Sequence, residues 1–123
     1  MKKVLIVEDH ADIRKLLRMT MEFEEFAILE APDGEVGLQM ARELLPDVIL
    51  LDVMMPGSLS GLDVCRCIKS NPALKHSRVI MLSARGHAED RREGVRAGAD
   101  EYLVKPFSTL QVLKAVYQLE TLA

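Results

Sequence analysis

Glu8 and Asp9 close one short apolar run of this sequence, Asp52 closes another, Ser83 a third and Lys105 a fourth. If those runs are strands of one sheet, three carboxylates, a hydroxyl and an ammonium gather along one edge. Crowded carboxylates raise one another's pKa unless a cation lies among them, and an all-oxygen set suits Mg2+, which takes a few carboxylates and keeps waters. Lys105 adds a point charge and Ser83 a hydroxyl donor, and with a metal they form a cradle for phosphoryl oxygens. Phosphoryl transfer is the reaction class that this set suits. Taken singly, each residue has a plainer reading: a strand-terminal Asp caps a helix or makes a turn, and a lone Ser or Lys is solvated. Their joint arrival at strand ends argues for a site. So does the run leading directly into Asp52, because a carboxylate beside a buried strand carries a desolvation cost unless something compensates it.

The elements that must position these residues follow from the hydrophobic period. Residues 4–7 and 48–51 are four-residue apolar runs that end in carboxylates, as strands buried on both faces do. Residues 79–82 form a third such run, and 26–29 and 101–104 two weaker ones. Between them the period lengthens. Ile13, Leu16, Leu17, Thr20 and Met21 share one helix face, with Arg14, Lys15 and Arg18 away from it. Asp33 caps a second helix that carries Val36, Met40, Ala41 and Leu44 and stops before Pro46. Leu62, Cys65 and Ile68 mark a third, ended by Ser70, Asn71 and Pro72. A fourth, over 88–97, is the most polar, and Ser108 opens a fifth whose inner face is Leu110, Leu113, Val116 and Tyr117. Strand and helix alternating with short joins predict an α/β fold, a doubly wound five-stranded parallel sheet flanked by five helices. Ligands of such a sheet bind at the carboxyl ends of its strands.

The 123 residues are the size of one domain, and the whole chain, 1–123, is read as a single domain without an output domain. With 49% apolar and 28% charged residues, it can bury a core without staples. A net charge of −3 and the lack of any like-charge run of five or more argue against direct binding of nucleic acid or anionic lipid. The apolar run behind Lys2 and Lys3 is too short for a signal peptide, and no stretch has the length of a membrane helix, so the expected location is the cytoplasm. Cys65 and Cys67, on one helix, point about 200° apart and cannot bridge each other, which fits reduced packing residues. His10, His76 and His87 fall on separate loops without metal-ligand spacing and read as exposed, His87 near enough the site edge to meet a partner. The seven methionines read as core or gap filler.

The ordered set of motifs is specific: residues 4–9 with their acidic pair; Asp52, Val53, Met54, Met55 and Pro56 with Gly61; Ser83 and Ala84; Gly98 to Tyr102; and Lys105, Pro106 and Phe107. From about Lys2 to Leu119 the chain resembles the receiver domain of bacterial two-component response regulators, the CheY-like fold, whose strand order is 2-1-3-4-5. The resemblance implies that Asp52 accepts a phosphoryl group from a phosphohistidine of a sensor histidine kinase or phosphotransfer protein, as a mixed anhydride. It implies Mg2+ as cofactor, held by Asp9, Asp52 and the backbone carbonyl of Met54, with Glu8 in contact through water. Lys105 then pairs with the carboxylate and later with phosphoryl oxygens, Ser83 swings toward them, and small Ala84 leaves room for the donor. Tyr102 stands at the switch-aromatic position and turns inward into space vacated by Ser83. The Lys105–Pro106 bond resembles the family's cis peptide, which aims Lys105 inward. A phosphoryl charge thus becomes a packing change at the fourth helix, fifth strand and fifth helix, in a switch that is not a turnover enzyme.

Three departures from the common pattern matter. The loop after Asp52 is one residue longer between Pro56 and Gly61, which predicts a wider loop, and Ser60 stands where many members carry Asp, which leaves a capping residue of less charge. Met54 and Arg85 flank the site; Met54 cannot orient an attacking water, so the phosphorylated form is expected to hydrolyse slowly. The last helix carries no arginine, which speaks against the charged dimer of winged-helix members and leaves a monomer or a weak phosphorylation-dependent dimer, with Leu110, Val112 and Tyr117 open to another partner. The effector is either a separate protein or a removed output domain.

Rival readings are weaker. A Mg2+-dependent aspartyl-phosphate phosphatase or phosphotransferase commonly needs a second Asp two residues after the nucleophile, where Met54 stands. A degenerate receiver that only docks partners would lack Asp9, Asp52 or Lys105, and none is missing. A flavodoxin-like cofactor site would need a glycine-rich or basic loop after the first strand, where Glu8, Asp9 and Asp12 stand.

Overall fold

The computed structural model of the protein describes residues 2–120. Met1 and residues 121–123, on which the reading of the chain ends partly rests, lie outside the described residues. In chain order the elements are β1 (Lys2–Val7), α1 (Ala11–Met21), β2 (Phe26–Ala31), α2 (Gly34–Leu44), β3 (Val48–Asp52), α3 (Gly61–Ser70), a 3-10 turn (Pro72–Leu74), β4 (Arg78–Ser83), α4 (Ala88–Ala97), β5 (Glu101–Val104) and α5 (Thr109–Glu120). The strands pair in parallel in the order β2-β1-β3-β4-β5. None of the described helices is long and apolar enough to cross a membrane.

The sheet is buried on both sides because each apolar run divides between them. Leu5, Val7, Ile49, Leu51, Val79 and Met81 face one layer, with Leu38 and Ala41 of α2, Val64, Cys65 and Ile68 of α3, and Ala97 of α4. Val4, Ile6, Val48, Leu50, Ile80 and Leu82 face the other, with Leu17 and Met21 of α1 and Val112, Ala115, Val116 and Leu119 of α5. This is the period-two alternation of strands covered by crossover helices.

Three inner faces differ from the periodic reading. In α5, Val116 is buried as expected, but Leu110 is 71% and Tyr117 52% exposed, and Val112, Ala115 and Leu119 are buried in their place. Two stripes at helical spacing run along that helix, and the one with the smaller side chains lets the backbone lie close to the sheet. Val112 is thereby removed from the apolar surface expected of it. In α2, Val36 is exposed and Gly34, Gly37, Leu38 and Ala41 face inward. A Cβ on Gly37 would lie 2.8 Å from both methyls of Val7, so the missing side chain sets how closely α2 approaches β1. In α1, Leu16 is turned outward while Leu17, Thr20 and Met21 are buried.

Asp100 ties the sheet's amino edge together. Its Oδ2 accepts from Lys69 Nζ at 2.7 Å and from the Val79 amide at 2.8 Å, and Lys69 Nζ also donates to the Ser77 carbonyl at 2.9 Å. Asp100→Ala strands a largely buried ammonium and an amide, and is expected to cost about 1–3 kcal/mol in urea unfolding. A loss below a few tenths would show that water replaces the carboxylate.

Candidate functional site

Each site residue stands at the carboxyl end of a strand. Glu8 and Asp9 follow β1, Asp52 ends β3, Ser83 ends β4 and Lys105 follows β5. Backbone bonds hold these ends in register: the Val53 amide donates to the Leu82 carbonyl at 3.0 Å and the Lys105 amide to the Ser83 carbonyl at 2.7 Å. The Lys105–Pro106 bond is cis, as the resemblance implied. Lys105 points into the cluster, its Nζ 2.8 Å from Glu8 Oε1 and 3.3 Å from Asp52 Oδ1.

The charge here is almost dry. Glu8 is fully buried and Asp52 is 2% exposed. Asp52 Oδ1 accepts a weak bond from the Met54 amide at 3.3 Å and faces Lys105, whereas Asp52 Oδ2 and Asp9 Oδ1 are buried with no hydrogen-bond partner. Two orphaned carboxylate oxygens in one pocket call for something between them, a proton or a cation. Burial, reinforced by Glu8 and Asp9 and opposed by Lys105, pushes the Asp52 carboxyl up to about 8. Asp9 is held below the usual carboxylate range: burial works against its charge, but hydrogen bonding with Asp52 and Glu8 outweighs it. Without a cation, then, the shared proton resides on Asp52. Burial likewise disfavours the Lys105 ammonium, yet Glu8 and Asp52 hold its pKa above the ordinary lysine value.

Donor atoms of Glu8, Asp9, His10 and Asp52 lie within 4.8 Å of one another. The acidic members are those expected from the sequence, although Glu8 is engaged directly by Lys105. His10 lies on a loop and is exposed, as expected, but the reading that it has no ligand placement is corrected: it stands at the cluster, its Nδ1 3.4 Å from Asp9 Oδ1 and 3.7 Å from Glu8 Oε2. Adjacency to the acidic pair was the available signal, and a search for histidine–histidine spacing overlooks it.

Ser83 is fully buried and its Oγ accepts from the Arg85 amide at 3.0 Å. Tyr102 departs from expectation. Its ring is already inward, 7% exposed, with the hydroxyl donating to the Arg85 carbonyl at 2.7 Å and the Arg91 guanidinium 5.5 Å from the ring centroid. Inward placement therefore does not wait for Ser83 to move. Met54 is 50% exposed at the mouth and Arg85 is exposed. The lengthened loop is held at its middle and at its far end: Ser58 donates to Glu35 of α2, and Ser60 caps α3 in a reciprocal pair with Asp63. That pair restores at Asp63 the carboxylate absent from position 60.

The sequence matches the response regulator receiver domain over residues 4–117. The chain belongs to that family. It is 46% identical over 114 residues to the transcriptional regulatory protein ResD of Bacillus subtilis, covering 93% of this chain and 46% of the relative. It is 41% identical over 117 residues to the phosphate regulon transcriptional regulatory protein PhoB of Rhizobium meliloti, covering 93% and 50%. The chain thus spans about half the length of these curated relatives. The structure of Vibrio cholerae chemotaxis protein CheY4 superposes with a TM-score of 0.89 at 31% identity, over 97% of this chain and 98% of that one. The receiver domain, with its 2-1-3-4-5 sheet and acidic pocket, places the protein in two-component, phosphorylation-dependent signalling.

Proposed function

We propose that this receiver domain takes a phosphoryl group onto Asp52 from a phosphohistidine of a sensor histidine kinase or phosphotransfer protein. The observation that carries the reading is the pair of buried, unpartnered oxygens on Asp9 and Asp52 beside the Lys105 ammonium. Asp9, Asp52 and the backbone carbonyl of Met54 would hold Mg2+, which when bound neutralises charge on the carboxylates and the incoming phosphoryl oxygens. Asp52 attacks as the carboxylate, so its proton leaves first. A carboxylate oxygen forms the bond to phosphorus, the phosphorus–nitrogen bond breaks, and the imidazole departs with its electron pair. Lys105, already aligned on Asp52, passes to a phosphoryl oxygen, and the Ser83 hydroxyl, which accepts from Arg85, keeps its proton to donate.

The domain acts as a switch, not a turnover enzyme, and its output is a changed surface on α4, β5 and α5. Ser83 and Tyr102 both bond to the backbone of Arg85, one to its amide and one to its carbonyl, so a shift of the hydroxyl is felt by the ring through one residue. The effector is a separate protein or another part of a longer chain; this domain does not contact nucleic acid, and it works as a monomer or weak phosphorylation-dependent dimer. Its free cysteines suit the cytoplasm.

Intact mass after incubation with Mg2+ and acetyl phosphate tests this. A hydroxylamine-labile gain of ~80 Da, absent from Asp52→Asn and from chelated samples, is expected. No gain in a folded, Mg2+-binding protein would leave a docking module. The same assay times the decay: a thioether at Met54 positions no water, so the half-life is expected to exceed minutes, and Met54→Asn to shorten it severalfold. Decay within seconds in the wild type would refute the role given to Met54.

A further inference from the structure

We propose that His10 contributes an imidazole nitrogen to the acidic pocket and turns its preference among divalent cations from Mg2+ toward borderline metals such as Ni2+. The inference rests on the reading of Glu8, Asp9 and Asp52 as a cation site. Ligands in neighbouring positions on one ion, at about 2.1 Å from it, lie about 3 Å apart. His10 Nδ1 stands 3.4 Å from Asp9 Oδ1, and that oxygen is one of the two buried atoms with no hydrogen-bond partner. The other orphaned oxygen is on Asp52, a residue that also offers a carboxylate oxygen to the group of donor atoms within 4.8 Å. The imidazole, 65% exposed, forms the rim of a pocket whose floor is carboxylate, so it can close on an ion with little rearrangement.

His10 occupies the N-cap position of α1, yet makes no capping hydrogen bond, so its orientation toward Asp9 is not set by the helix end. Carboxylate and water suit Mg2+ and Mn2+, whereas imidazole adds affinity for Ni2+ and other first-row ions and little for Mg2+. A nitrogen at this rim therefore changes selectivity more than it changes overall affinity.

The test uses the full chain at about pH 8. NiCl2 and MgCl2 are titrated calorimetrically into wild type, His10→Ala, His10→Glu and Asp9→Asn, and Mn2+ spin-echo spectra are recorded for nitrogen coupling. His10→Ala is expected to lose about tenfold or more in Ni2+ affinity with Mg2+ affinity nearly unchanged, and to lose the nitrogen modulation from bound Mn2+. His10→Glu is expected to shift the preference back toward Mg2+. Nickel that still binds Asp9→Asn with wild-type affinity sits elsewhere and overturns the proposal. Mg2+ binding in the wild type with Ni2+ affinity and nitrogen coupling indifferent to His10 overturns it while leaving the cation site standing. Failure of the wild type to bind either ion overturns both.

Discussion

Asp52→Asn is expected to stabilise the metal-free protein, by a margin that widens as the pH rises. The folded carboxyl titrates near 8 and its unfolded counterpart near 3.8, so between those values the folded state holds a proton that the unfolded state has released. Where the folded state binds more protons, unfolding free energy falls with rising pH, and the loss is complete once the folded carboxyl has ionised. Near pH 4 the protonated Asp52 and an Asn side chain differ little in charge, and the two proteins should unfold at similar urea concentrations. At about pH 9 the wild type must keep a third buried carboxylate beside Glu8 and Asp9 with only Lys105 to offset it, and Asn removes that burden for about 1–4 kcal/mol. Lys105 does not confound the window. Its pKa is raised, so its stabilisation is present throughout the neutral range and is lost only above its folded value. Asp9 acts in the opposite sense and only at acid pH, where protonation through its lowered folded value removes the stability it adds. Asp52 contributes to the shifts of both neighbours, so the difference between wild type and variant reports Asp52 together with its coupling to Asp9 and Lys105. Mg2+ reverses the order of stability: binding requires the carboxylate, so the ion should release a proton and stabilise the wild type far more than the variant. A margin in chelator that is flat with pH would mean that Asp52 is solvated as an ordinary carboxylate.

The site was more legible in the sequence than the helix faces around it, for a physical reason. A strand buried on both sides is a continuous apolar run, and the first polar residue after it marks the sheet edge, so Glu8, Asp9, Asp52, Ser83 and Lys105 were located without any long-range information. Helix faces are decided by tertiary approach. Gly37 against Val7 and Ala115 against the sheet win over Val36 and Leu110 because small residues permit closer packing, and residue size alone points the other way. The state of Tyr102 was also out of reach: a motif marks the position of a switch residue but not which rotamer its neighbours favour, and here the Arg85 carbonyl and Arg91 hold the ring in. The 3-10 turn at Pro72–Leu74 was hidden in what read as a helix stop.

Gly61→Ala is expected to be the most damaging single-methyl change near the site. Gly61 is the first residue of α3, and its amide donates to the Val53 carbonyl at 2.9 Å, which seats the helix on the end of β3. A Cβ there would lie 2.2 Å from the Asp52 carbonyl oxygen and 2.6 Å from Val53 Cα. Both are backbone atoms of the segment that carries the phosphoacceptor, so no side-chain rotation relieves the clash; either α3 lifts away or the end of β3 moves. The stability cost is expected at the upper end of the range for overpacking, about 3 kcal/mol, in urea unfolding. The functional cost should be larger in proportion, because a shift of about 1 Å in a reacting group lowers rate about a hundredfold. Gly86→Ala supplies the comparison: its Cβ would meet Val104 Cγ1 at 3.1 Å, a side-chain atom that can yield. Phosphorylation by acetyl phosphate under conditions where both variants are folded should fall steeply for Gly61→Ala and only slightly for Gly86→Ala. Equal rates would mean that the loop of residues 53–60 absorbs the methyl and that the placement of Asp52 does not depend on how α3 is seated.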